Sequence, residues 1–417
     1  MGTHVQGIRY STLAREYGTP LYVYDADVLA DRFLGLRERL HPAVDLFYSL
    51  KANPNVAICA YLRSLGAGAE VSSLLELLIA RRAGVTPPNI VFPGPGKSRN
   101  ELTACLAHGI RAVICESVAE LELIDDMAGR AGFDVPVAIR VNPTFGRRPA
   151  KYGIDEEQLL ASPGLARRFN HARIVGVHVY SGTRLVAGTV VAERSALVLN
   201  LAERLADRLD FPLELVDIGG GLGVPYFEGE REVDPDELTA RLNPIVDSFR
   251  DRRPGTRLIM ELGRYLVASA GTYLVGVRYV KTSHGHNFAV VDGGTHHHMA
   301  AKTFGASGHR NFPIRLLDRP DAGAQMTWTV AGPLCAPNDT LVDDVDLPPL
   351  RPGDLLGVLE SGAYGPTASP GLLLGHGFPA EVMVHNGTAH IVRERDDLAE
   401  LLAKQFLPTL TRDAPEP

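Results

Sequence analysis

The sequence predicts an α/β protein: a (β/α)8 barrel of the TIM type carrying a second, antiparallel β domain. Three observations carry that prediction. From Leu46 to Glu261, short β-type apolar runs alternate with stretches of helical periodicity, the pattern of parallel strands joined by helices. About 225 residues for eight such units suit a closed barrel better than an open sheet. A doubly wound sheet would also want a Rossmann glycine pattern after its first strand, and none stands there. Near Ala270 the texture changes to β-like alternation that lasts almost to the C-terminus.

The predicted barrel strands are, in order, Leu46–Leu50, Ala67–Val71, Ile90–Phe92, Ala112–Cys115, Pro136–Val141, Ile174–Tyr180, Leu213–Ile218 and Arg257–Glu261. Helical periodicity runs through Val56–Leu65, Leu74–Ala83, Val118–Arg130 and Ala192–Leu209 between them. The later strands are Thr272–Val280, Phe288–Asp292, Met326–Val330, Leu355–Leu359 and Ala380–Val384. Asn386-Gly387 then signals a hairpin into Ala389–Val392. The strand-like Leu21–Tyr24 is placed with this second set. The expected domains are a barrel over residues 26–268 and an antiparallel β-sandwich or barrel made from 1–25 and 269–417.

Bulk properties narrow the function. A composition of 45% hydrophobic and 22% charged residues is that of a globular protein with ample core material. A net charge of -7 without a long basic run argues against nucleic acid. Cys59, Cys105, Cys115 and Cys335 show neither CxxC pairing nor zinc spacing, so they read as reduced thiols. The polar stretch Met1–Tyr10 lacks a signal-peptide core, and no apolar run is long enough to span a bilayer. The expected location is the cytoplasm.

In a (β/α)8 barrel, functional groups collect at the C-terminal ends of the strands. Those ends carry Lys51, Glu70, His178 with Ser181, the run Gly219-Gly220-Gly221-Leu222-Gly223, and Glu261 followed by Gly263 and Arg264. An isolated lysine at a strand end is ordinarily a surface cap. Desolvated there, its amine would be freed for Schiff-base chemistry. The glycine run matches neither the Rossmann nor the Walker spacing, which leaves a nest of backbone N–H groups for a single phosphate. A phosphate nest, a reactive lysine and an inward acid together describe a pyridoxal phosphate site.

Six ordered segments then resemble the fold-type III pyridoxal phosphate decarboxylases, which have an alanine racemase-like barrel and include diaminopimelate and ornithine decarboxylases. They are Tyr48-Ser49-Leu50-Lys51-Ala52-Asn53, His178-Val179-Tyr180-Ser181-Gly182, Gly219–Gly223, Glu261-Leu262-Gly263-Arg264, Gly332-Pro333-Leu334-Cys335 and Gly362-Ala363-Tyr364-Gly365. The resemblance implies a homodimer with shared active sites. It implies that Lys51 bonds the cofactor, that His178 stacks on the cofactor ring and that Glu261 binds the ring nitrogen; Glu70 is a further expected cofactor contact. Ser181, Gly220, Gly221, Gly223, Gly263, Arg264 and Tyr364 would line the phosphate or the nearby substrate. Cys335 of the other subunit would be the acid that protonates the former α-carbon.

Departures from the pattern bear on substrate. Diaminopimelate and ornithine enzymes carry an acid after the cysteine for the substrate's distal amine, where this chain has Ala336. Leaving an ammonium unpaired would cost roughly 2–5 kcal/mol. Diaminopimelate enzymes also supply an arginine after Asp292-Gly293-Gly294, where Thr295-His296-His297-His298 stands here. These features are similar to antibiotic-pathway decarboxylases that act on aminoacyl groups tethered to an acyl carrier protein, and imply a glutamyl- or aspartyl-type thioester. The expected substrate contacts are Arg264, His296, His297, His298, Ala336 and Asp339. The histidine run lacks a neighbouring carboxylate or cysteine to complete a metal shell, so no metal is assigned. Arg147, Arg148, Lys151, Arg167, Arg168 and Arg173 form a basic cluster that could dock an acidic carrier protein or be a solvated surface. Decarboxylation of a free amino acid such as diaminopimelate, a racemase on the same barrel, and a non-catalytic homologue are the alternatives.

Overall fold

The computed structural model describes residues 2–145, 151–227, 229–301, 310–319, 323 and 325–408. Chain contacts group them into two units, Asp25–Gly271 and Met1–Tyr24 with Thr272–Pro417. In the first unit the strands are β1 (Val44–Ser49), β2 (Gly68–Glu70), β3 (Ile90–Phe92), β4 (Ala112–Cys115), β5 (Val135–Asn142), β6 (Ala172–Val179), β7 (Leu215–Gly220) and β8 (Arg257–Leu262). Each pairs in parallel with the next, and β8 pairs with β1, so the barrel is closed. Nearly every strand residue is buried because the lumen covers one face and helices the other.

The helices follow their strands with side-chain caps where the sequence supplies them. Asn55 caps Val56–Ser64, Ser73 caps Leu74–Arg82, and Ser117 caps Val118–Ala131. Arg99–His108 starts with a reciprocal capping box between Ser98 and Glu101. Gly188–Leu209 and Pro235–Arg252 pack beside each other near the end of the unit.

Side chains at alternate positions along a strand share a face. Phe47, Val91, Ala112, Ile114, Ala138, Leu215 and Ile259 form one buried apolar cluster in the lumen. Asp217 lies two residues beyond Leu215 and Glu261 two beyond Ile259, towards the strands' C-terminal ends. Both acids therefore sit one layer above this apolar plug.

The second unit is a mostly antiparallel sheet. Its strand order is Thr340–Leu347, Met326–Ala331, His286–Val291, Gly271–Ser283, Leu21–Asp25, Ala380–His385 and Thr388–Arg393. Leu355–Val358 joins Gly271–Ser283 and Ile314–Leu316. One pair, His286–Val291 with Met326–Ala331, runs parallel. Asn386 and Gly387 have φ of 51° and 69°, the positive values that a two-residue hairpin turn demands. Leu13, Leu21, Val23, Leu274, Val382 and Val384 belong to this unit's core. No described helix is long and apolar enough to cross a membrane.

Candidate active site

β1 ends at Ser49, and Leu50–Ala52 make a single 3-10 turn that carries Lys51 over the strand end. The turn lifts the amine outwards: its side chain is 45% exposed, so the desolvated lysine expected from the apolar run is not what forms. An ion pair holds it instead. Lys51 Nζ donates to Glu70 Oε1 at 3.3 Å and Oε2 at 3.1 Å. Glu70, the last residue of β2, is fully buried and accepts a further bond from Ser72 Oγ at 3.1 Å.

Across the barrel end, His178, Asp217 and Glu261 converge from β6, β7 and β8. The register pairs His178 with Asp217. A shift between Asp217 and Gly220 brings Gly220 opposite Glu261. His178 Nε2 lies 3.5 Å from Glu261 Oε1 and 3.9 Å from Asp217 Oδ2. Among the described residues, His178 Nδ1, Asp217 Oδ2 and Glu261 Oε1 are buried without a hydrogen-bond partner. Burial, and then the neighbouring Glu261, push the Asp217 carboxyl well above the ordinary carboxylate range. For Glu261 burial acts upwards too, but His178 and Lys51 oppose it and bring the carboxyl down to about 2. Asp217 was not legible as a site residue, although an acid inside the apolar run Leu215-Val216-Asp217-Ile218 is the signal that could have found it.

The glycine run turns the chain beside this cluster. Gly219 and Gly221 adopt φ of 73° and 79°, and a Cβ on Gly221 would press on the Gly182 carbonyl. Gly220 is small for a different reason, since a Cβ would overlap the Glu261 carbonyl of the adjacent strand. At Gly223 a Cβ would crowd Arg184 and Val186, and at Gly263 it would crowd Ala52 and Ser49, so chain packing accounts for these two. Ser181 is buried, and its Oγ donates to the Ile218 carbonyl at 3.5 Å. Arg264 is buried, donates to Tyr226 Oη at 2.8 Å and lies 5.3 Å above that ring. Tyr226, three residues past Gly223 and unnoticed in the sequence, thus fixes the guanidinium.

The remaining predicted residues belong to the β unit. Cys335 is exposed on a loop, unlike Cys59, Cys105 and Cys115, which are buried free thiols. Burial pushes the Cys59 and Cys105 thiols up to about 12, which leaves them unreactive. Asp339, expected at the substrate, is a buried structural hub. It accepts from Thr295 N at 2.7 Å, Thr295 Oγ1 at 2.8 Å and Leu334 N at 2.8 Å, and so fastens the Cys335 loop to the histidine segment. Gly294 and Gly332 leave room for its carboxylate. Ala336 closes the same loop by accepting the Asp339 N–H at 3.1 Å. Tyr364 is half-buried on a loop with φ of 56°.

His296, His297 and His298, expected as substrate contacts, are buried. They occupy a buried turn. His297 bonds Tyr273 Oη at 3.2 Å and the Gly377 carbonyl at 2.8 Å, while His298 bonds Ser361 Oγ at 2.8 Å. His296 packs against the rings of His297 and His376. Burial pulls the His296 and His298 rings down to about 4 and His297 to about 3, so all three are neutral core groups at pH 7.

The basic cluster also resolves differently. Arg147 and Arg148 lie outside the described residues. Arg167 pairs with Asp210, Arg168 with Glu122 and Arg173 with Glu214. Arg173 is the second residue of β6, whereas His178 is near its end, so Arg173 belongs to the barrel end away from the site. Lys151 lies over the Tyr152 ring at 5.2 Å. Among the described members of the cluster, each of the three arginines is thus engaged by an acid.

An exposed amine, an acid and imidazole with unmet buried atoms, a glycine-rich turn and the buried Arg264 fit a flat ligand with an aldehyde, a ring nitrogen and a phosphate. Fold and site together define a pyridoxal phosphate-binding barrel. The family described as pyridoxal-dependent decarboxylase, pyridoxal binding domain, matches residues 27–268, and the chain belongs to it. It is 39% identical to the L-glutamyl-[BtrI acyl-carrier protein] decarboxylase of Niallia circulans, over 95% of this chain and 96% of that protein. Identity to the diaminopimelate decarboxylase of Aquifex aeolicus is 30%, over 94% and 93% of the two chains. The crystal structure of diaminopimelate decarboxylase from Helicobacter pylori complexed with L-lysine superposes with a TM-score of 0.85 at 28% identity. It covers 95% of this chain and 98% of that one.

Proposed function

We propose that this enzyme removes the α-carboxylate of an L-amino-acid group carried on an acyl carrier protein, the group being glutamyl or a close relative such as aspartyl. The observation that carries the tethered reading is Ala336. The loop that presents Cys335 offers a methyl group where an acid would be needed for a free diamino acid's distal amine. The relative from Niallia circulans, which acts on L-glutamyl carrier protein, supports it over nearly the whole chain. Decarboxylation of free diaminopimelate is the second reading, favoured by the relatives of that name. We place the enzyme in the cytoplasm, in a natural-product pathway such as antibiotic biosynthesis, as a homodimer in which each Cys335 serves the partner's site.

Bound pyridoxal phosphate supplies an electron sink for the pair left behind when CO2 departs. Lys51 is the amine for its aldehyde, and Glu70, braced by Ser72, aims that amine. The Gly219 and Gly223 N–H groups are taken by Asp217 Oδ1 and the Leu185 carbonyl, so the N–H groups between them and the guanidinium of Arg264, steadied by Tyr226, would hold the phosphate. Glu261 stays ionised beside His178 and offers its charge to the ring N–H. His178 is the residue that would support the ring's face. Cys335 Sγ delivers a proton to the former α-carbon, and the fastening of its loop by Asp339 sets where that thiol can reach.

Intact-protein mass spectrometry on a panel of aminoacyl-loaded carrier proteins tests the substrate, with the matching free amino acids alongside. Loss of CO2 from a tethered glutamyl or aspartyl group, and not from the free acid, is expected. Loss from free diaminopimelate alone would refute the reading.

A further inference from the structure

The mechanism above leaves one buried acid without a task. Asp217 is fully buried on β7, and its two carboxylate oxygens face different surroundings. Oδ1 accepts the Gly219 N–H at 2.9 Å, at the start of the glycine turn. Oδ2 has no hydrogen-bond partner among the described residues, and neither does Glu261 Oε1. One side-chain nitrogen or oxygen from each of His178, Asp217 and Glu261 lies within 4.8 Å of the other two. The titratable groups facing Asp217 are His178 from β6, Glu261 from β8 and, acting from β2, Glu70.

Two carboxylates packed this closely away from water cannot both be charged, because repulsion in a low-dielectric interior drives one to keep its proton. The surroundings decide which one. Glu261 lies nearer to His178 and also feels the Lys51 charge, whereas Asp217 has one backbone N–H and two further acids around it. We propose that Asp217 holds the proton as a neutral acid and directs it towards Glu261, so that a hydrogen-bonded acid pair addresses the cofactor ring nitrogen. Asp217 is then a positioning residue with two ends. One oxygen shapes the turn that binds phosphate, and the other orients Glu261 and keeps that carboxylate from turning towards protein donors. The part concerning the ring nitrogen rests on the proposed pyridoxal phosphate chemistry, but the location of the proton does not.

The test separates the two. Infrared difference spectra between wild type and D217N, both free of cofactor at neutral pH, should show the carbonyl stretch of a protonated carboxylic acid lost in the variant. Loss of carboxylate bands only would overturn the proposal. Should D217N fail to fold, wild-type protein labelled with 13C at its aspartate carboxyls gives the same answer. One resonance in the protonated range at pH 7 is expected, and none would overturn it. Cofactor affinity reads the second half. Asparagine keeps both an acceptor for Gly219 and a donor for Glu261, so D217N should hold pyridoxal phosphate within about threefold of wild type, and D217L should lose tenfold or more. Equal losses in the two variants would refute the donor role. A wild type that bound no pyridoxal phosphate would refute the functional reading and leave the proton's location standing.

Discussion

Replacing Asp339 by alanine tests how the Cys335 loop is held. The carboxylate accepts three hydrogen bonds, two of them from Thr295 and one from the Leu334 N–H, within 2.7 to 2.8 Å. Bonds to a charged group are each worth roughly 1.5–3 kcal/mol. The Thr295 donors are buried and would be stranded, whereas the half-buried Leu334 amide can turn to water and counts at the low end. Removing the carboxylate also relieves its own desolvation, so the net loss should be about 3–5 kcal/mol, at the upper end for a single substitution. D339N should lose about 2 kcal/mol, since its oxygen still serves Thr295 while its amide meets the Leu334 N–H donor to donor. Urea titration at unchanged m-value measures the loss. The rate of Cys335 alkylation by a maleimide reports the loosened loop. A loss under about 1 kcal/mol together with unchanged alkylation would show that Asp339 does not fasten the loop.

Further outcomes follow from other parts of the structure. K51A should acquire no cofactor mass after borohydride reduction, whereas the wild type should acquire it; a labelled K51A protein would mean that another amine serves the aldehyde. G220A should cost more than about 3 kcal/mol or prevent barrel closure, because the Cβ meets the Glu261 main chain and a backbone cannot yield as a side chain can. G229A, with φ of 82° and nothing within 4 Å, should cost only about 1 kcal/mol of backbone strain, and similar melting curves for the two would refute the packing argument. The buried His298 ring titrates at about 4 instead of 6.5. Between those values the unfolded chain binds a proton that the folded chain refuses, so stability falls as the pH is lowered through that window, by up to ~3 kcal/mol. H298Q should flatten the fall, leaving the part due to His296 and His297, and coincident slopes would show that the ring is not held neutral.

The barrel strands were readable because each parallel strand is covered on both faces and so appears as a short, nearly unbroken apolar run, as in Val44–Ser49 or Ala112–Cys115. The hairpin at Asn386-Gly387 was readable because few residues tolerate positive φ there. Thr340–Leu347 escaped notice because Asp343, Asp344 and Asp346 interrupt it, and that charge is tolerated at the end of the sheet where, among the described residues, Met326–Ala331 alone pairs with it. The helix Tyr10–Tyr17 is equally short of signal, with only Tyr10 and Leu13 buried.

By itself, the sequence determined the alternating elements of the barrel and most of the chemical groups at its strand ends, since these follow from periodicity and from residue type. Packing decided what those groups experience. It lifted Lys51 out on a turn and paired it with Glu70, and it buried His297 and His298 in a hydrogen-bonded core. It turned Asp339 from a substrate candidate into a fastener and drew Asp217 to Glu261 across neighbouring strands. Solvation and the distances between side chains remote in sequence set protonation and exposure, and neither quantity exists until the chain has closed on itself.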